Sequence, residues 1–89
     1  MLITKEQAIN YFNEKRKNEE VKTIREFQIN GTENNFFLIN GNYLVRFIVP
    51  EAMNSLMRNR NFSHKVSGMK LSRKDAESYV NSSKVREII

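Results

Sequence analysis

The chain has 89 residues, with fifteen Lys and Arg against ten Asp and Glu, a formal charge of +5, and no cysteine or tryptophan. That length holds one domain at most, here 1–89, and the lack of thiols excludes a disulfide staple, a thiolate metal site and a cysteine nucleophile. No apolar run reaches the roughly 18 residues of a membrane span, and Met1-Leu2-Ile3 followed by polar Thr4–Gln7 is no signal-peptide core, so a cytoplasmic protein without membrane contact is expected.

Thr4 with Gln7 three residues on has the spacing of a capping box, and Ala8, Ile9 and Phe12 recur at helical spacing. A helix is predicted over 5–17, its last turn carrying Lys15, Arg16 and Lys17 as the macrodipole favours. From Val21 the period changes to two, with Val21, Thr23, Arg25, Phe27 and Ile29 on one side of a strand over 21–29. Two Asn-Gly pairs follow, Asn30-Gly31 and Asn40-Gly41, each a type I′ hairpin signal. Strands are predicted over 35–39 and 42–49, completing a three-stranded antiparallel meander. A two-residue turn at Asn40-Gly41 would set Leu38 opposite Tyr43. One face would then carry Phe36, Leu38, Tyr43, Val45, Phe47 and Val49. The other would carry Phe37, Ile39, Leu44 and Ile48, interrupted by Asn42 and Arg46. Both are too apolar to face water, so helices are expected on both sides, with a partner on the second face as the alternative.

Pro50 ends the third strand and suits a helix first turn. Ala52, Met53, Leu56 and Met57 predict a helix over 51–60. Residues 61–71 lack periodicity and contain Gly68, so they read as a basic loop. Ser72 then caps a last helix over 73–88, with Ala76, Tyr79, Val80, Ser83 and Ile88 on one side. The expected fold is α+β, a small single domain in the order α-β-β-β-α-α, the meander packed with helices.

The charge is uneven along this order. Between Glu51 and Asp75 there is no acid, but there are six cations: Arg58, Arg60, Lys65, Lys70, Arg73 and Lys74. Phe62 and His64 lie among them. Cations neutralise phosphates and release counterions, while rings can stack on or orient bases. Arg73 and Lys74 oppose the macrodipole in the first turn of their own helix, a local cost that hints at use elsewhere. The stretch Ser72-Arg73-Lys74-Asp75-Ala76-Glu77 resembles the opening of the last helix in double-stranded RNA-binding domains. The resemblance covers six residues and implies phosphate contact by that opening. That family runs α-β-β-β-α. Here some twenty residues and an extra helix separate the third strand from the last helix.

Catalytic chemistry is sparse. His64 is the sole histidine and Asp75 the sole aspartate, and no Gly-rich phosphate loop occurs, so neither a metal nor another cofactor is expected. The one enzymatic reading left is a small basic ribonuclease using His64, Lys65 and Arg60. The expectation is a non-enzymatic nucleic-acid-binding domain that uses residues 58–74 on DNA or RNA phosphates. The alternative, from a cysteine-free basic chain with twelve asparagines, is a phage or mobile-element protein. It would inhibit a host protein, as anti-defence inhibitors do, through the basic loop or the second sheet face. A homodimer through that face fits either reading.

Overall fold

The computed structural model describes residues 2–48 and 65–88. In chain order they form α1 (Lys5–Lys15), β1 (Ile24–Ile29), β2 (Asn35–Ile39), β3 (Tyr43–Ile48), β4 (Lys65–Lys70), α2 (Arg73–Val80) and β5 (Val85–Ile88). The result is a small α+β fold whose described residues give two helices and one five-stranded antiparallel sheet, ordered β4-β3-β2-β1-β5. Among them no helix is long and apolar enough to cross a membrane.

The capping box at the start of α1 is present. Thr4 Oγ1 accepts from the Gln7 amide at 3.1 Å, and Gln7 Oε1 accepts from the Thr4 amide at 2.9 Å. The helix stops two residues short of the sequence expectation because Arg16 leaves helical geometry at φ −124°, ψ 63°. Thr4→Ala removes one reciprocal bond and is expected to cost about 1 kcal/mol. Thermal unfolding followed by circular dichroism reads this as a fall of roughly 4–8 °C. The segment before the cap is fastened by Asn35, a buried polar residue. Its Oδ1 accepts from the Ile3 amide at 2.8 Å, and its Nδ2 donates to the Ile3 carbonyl and to Glu26 Oε2, both at 2.9 Å.

The second hairpin differs from its expected register by one residue. Asn40 and Gly41 do take positive φ, 54° and 76°, but Asn42 joins them in the loop and Ile39 lies opposite Tyr43. A one-residue slip regroups every side chain between faces. Phe37, Ile39, Tyr43 and Val45 therefore share a face with α1, packing against Ile3, Ala8 and Phe12. Phe36, Leu38 and Leu44 share the other with Phe27 from β1 and Ala76 from α2. Each face carries a helix, as the apolar count required. The second face drawn from Phe37, Ile39, Leu44 and Ile48 does not exist as one surface, because the first two lie under α1 and Leu44 under α2.

Three further expectations are corrected. The strand expected over 21–29 begins at Ile24, since the Lys22 and Thr23 amides donate to the Asn40 side chain instead of to a ladder. The basic loop over 61–71 is, from Lys65 to Lys70, strand β4, paired with the whole of β3. Gly68, read as loop punctuation, lies mid-strand beneath two tyrosine rings. The helix expected over 73–88 ends at Val80, and Val85–Ile88 turns back as β5 beside β1. Ser82 and Ser83 favour local side-chain bonds over helix, and β-branched Val85 suits an extended edge. The sheet is thus larger than a three-stranded meander, and the described order is α-β-β-β-β-α-β. The helix expected over 51–60 lies outside the described residues.

Candidate nucleic-acid interface

One end of the sheet gathers chain segments that are distant in sequence. Here β1 and β3 begin and β2 and β4 finish. Lys70 closes β4 opposite Tyr43, and the next amide, that of Leu71, donates to the Asn42 carbonyl at 2.6 Å. Ser72 Oγ then accepts from the Asp75 amide at 3.1 Å, starting α2 at the same end. Its first turn exposes Arg73 and Lys74.

On the opposite face α1 finishes over the same strand starts. Phe12 meets Tyr43 edge-on with ring centroids 5.3 Å apart, and the Arg16 guanidinium stands 5.9 Å from the Tyr43 centroid. Burial raises the pKa of the Tyr43 hydroxyl, with neighbouring Tyr11 adding to the rise. Lys15 and Lys17 are exposed at this helix end, and exposed Lys22 follows in the connection to β1. That connection is pinned by Asn40. Its Oδ1 accepts from the Lys22 amide at 2.7 Å and the Thr23 amide at 3.1 Å, and its Nδ2 donates to the Glu20 carbonyl at 2.9 Å.

Six exposed cations, Lys15, Lys17, Lys22, Lys70, Arg73 and Lys74, therefore belong to segments that meet at one end of the sandwich. Among the described residues, ion pairs join Arg16 to Glu19 and Arg25 to Glu87, and none of the six has such a partner. Glu19 and Glu20 are the acids of the same connection, the first occupied by Arg16. Arg25 is committed elsewhere. Its guanidinium donates to both Glu87 carboxylate oxygens, at 2.9 and 2.8 Å, and those bonds hold Glu87 below the usual carboxylate range.

Of the cations expected from sequence, the fold brings Lys70, Arg73 and Lys74 together. Lys65 stands at the other end of β4, about 16 Å away at the rise of an extended strand. Strand alternation also turns Lys65 toward the α2 side and Lys70 toward the α1 side. Arg58, Arg60, Phe62 and His64 lie outside the described residues. Sequence reasoning missed Lys15, Lys17 and Lys22. The first two were assigned to helix-dipole compensation, and only the β3–β4 pairing, which no local signal announces, brings them near residue 70. Among the described residues no group of three His, Cys, Asp or Glu is arranged to hold a metal ion. No family model, curated protein or solved structure matches the chain.

Proposed function

We propose that this end of the sandwich binds the phosphate backbone of nucleic acid, as a non-enzymatic DNA- or RNA-binding domain. The observation that carries the reading is the convergence of six exposed cations from α1, the α1–β1 connection, β4 and α2, none of them ion-paired among the described residues. Cations in excess over neighbouring acids such as Glu20, Asp75 and Glu77 cost electrostatic free energy in the isolated protein, and a polyanion relieves that cost while releasing its own counterions. The exposed amides of the first turn of α2 add a positive partial charge beside Arg73 and Lys74.

The test is a mobility-shift titration at several salt concentrations. Six phosphate contacts predict a slope of about −5 for log affinity against log salt on a duplex. Arg73→Glu with Lys74→Glu is expected to abolish retention. The fold should persist, because acids in a first helical turn favour the macrodipole by roughly 0.3–1 kcal/mol each. Position within β4 supplies a sharper contrast. Lys70→Glu should weaken binding about tenfold, whereas Lys65→Glu, at the far end of the same strand, should change it by less than about twofold. Equal losses from both lysines would disprove the assignment to this end. A protein that holds no nucleic acid at low salt would end the reading altogether.

A further inference from the structure

Resting on that reading, we infer that the flank of α2 seats one unpaired base of the bound strand against Tyr79, guanine in preference to the others. Tyr79 is 37% exposed and lines a depression of about 520 Å³ with Leu71, Asp75, Ser78 and Ser82. That volume falls within the roughly 300–1,000 Å³ of small-ligand sites. Helical spacing explains the grouping. Asp75, Ser78 and Tyr79 stand at i, i+3 and i+4, and Ser82 follows at i+7 in the turn that leaves the helix. Leu71 is half-buried against the core beneath α2 and is fixed there by the bond from its amide to the Asn42 carbonyl. The tyrosine ring is braced too. It stands edge-on to Phe36 with centroids 5.3 Å apart, and Phe36 stacks on Phe27 at 5.2 Å. The outermost of three rings is thus in place before a ligand arrives, which spares the cost of ordering it.

Each group in the depression suits a part of a base. An aromatic ring stacks on any of the four. A carboxylate only accepts hydrogen bonds, and the Watson–Crick edge of guanine offers it two neighbouring donors, N1–H and the N2 amino group. Adenine and cytosine set one amino group beside a ring nitrogen whose lone pair repels a carboxylate, and thymine sets one N–H between two carbonyls. The Asp75 amide donates to Ser72 Oγ at 3.1 Å, which fixes the residue in the first turn, and the ion pairs of the described residues leave its carboxylate unused. Ser82 Oγ accepts from the Lys84 amide at 3.2 Å, so its own proton is left to donate toward a base acceptor such as O6 or N7. Cations flank the seat along the chain. Lys74 precedes Ser78 by four residues and so adjoins it on the helix surface, and Lys84 lies two residues beyond Ser82, both exposed. Phosphates on either side of a seated base would meet them. In a duplex the same edge of guanine is engaged by its pairing partner, so the seat takes a single strand.

Fluorescence anisotropy with the intact chain at one salt concentration tests this. The probes are four labelled DNAs: 12-nucleotide strands of thymine alone, of cytosine alone and of thymine with guanine at every third position, and a 20-base-pair duplex of mixed sequence. The guanine-bearing strand is expected to bind about fivefold more tightly than the other two strands. Tyr79→Leu keeps an apolar contact with Phe36 and should weaken all three strands about tenfold while leaving the duplex within about twofold. Tyr79→Phe keeps the ring and should bind the strands as wild type does. Asp75→Ala, which retains the amide that Ser72 caps, should erase the guanine preference without weakening the thymine strand. Equal binding of the three strands, or a Tyr79→Leu variant of wild-type circular dichroism that loses the duplex equally or loses nothing, would overturn this inference while leaving phosphate contact intact. An Asp75→Ala variant that keeps the guanine preference would do the same. Failure of all four probes to bind would remove both readings.

Discussion

Replacing Gly68 by alanine is expected to destabilise the protein by about 1–2 kcal/mol, the net of two opposed effects. Alanine in a strand interior gains roughly 0.5–1 kcal/mol over glycine in chain entropy. Against that, the added Cβ would stand 2.6 Å from Tyr43 Cε2 and 2.7 Å from Tyr11 Cε1, well inside contact distance. Tyr43 is held by Phe12 on one side and cannot yield cheaply, so the strain falls on Tyr11, which is only half-buried. Overpacking of this kind costs about 1–3 kcal/mol and outweighs the entropic gain. Thermal unfolding should show a drop of roughly 10 °C. A double-mutant cycle with Tyr11→Ala isolates the cause. Removing that ring should make the Gly68 substitution markedly less harmful, with a coupling of about 1 kcal/mol or more. If the two losses simply add, the rings are not what requires a glycine at 68.

Asn40→Ala should cost as much or more, about 2–4 kcal/mol, through two separable terms. Alanine at φ 54° carries the left-handed penalty that asparagine tolerates. It also leaves the Lys22 and Thr23 amides and the Glu20 carbonyl without the side chain that joins them. Asn40→Gly keeps the backbone conformation and loses only the three bonds, so its stability should fall between wild type and Asn40→Ala. Asn40→Asp keeps both acceptor contacts but sets a carboxylate oxygen against the Glu20 carbonyl, and it too should be intermediate. Chemical denaturation of the four proteins gives the ordering. A glycine variant as stable as wild type would show that the side-chain bonds contribute nothing.

These two residues also mark where the sequence was legible. Thr4 and Gln7 announced α1 because a capping box is local chemistry. The Asn-Gly pairs announced both hairpins for the same reason, although the first is not the type I′ turn expected, since Asn30 does not take positive φ and the loop runs over residues 30–34. Asn40 nevertheless misled on register, because Asn42 was read as the first strand residue when it completes the loop. The two registers differ only in which apolar side chains meet a helix, and that is settled by tertiary packing. β4 and β5 were hidden for a related reason. Each takes its pairing from a distant strand, and each is broken by residues that signal something else, Gly68 in one case and the preceding serines in the other. The candidate surface was half legible. Lys70, Arg73 and Lys74 stood out as a run without acids, whereas Lys15, Lys17 and Lys22 joined them only when β4 took its place beside β3.

The strand order β4-β3-β2-β1-β5 sets a folding sequence in time. The hairpins β1–β2 and β2–β3 close over loops of a few residues and are available within microseconds. β5 must find β1 across most of the chain. The Arg25–Glu87 pair that bridges them spans 62 positions. Closing that loop costs entropy before any contact rewards it, so the β1–β5 seam is expected to form last and open first. Its amides should be the earliest of the sheet to exchange with solvent deuterium, well ahead of those linking β2 to β3.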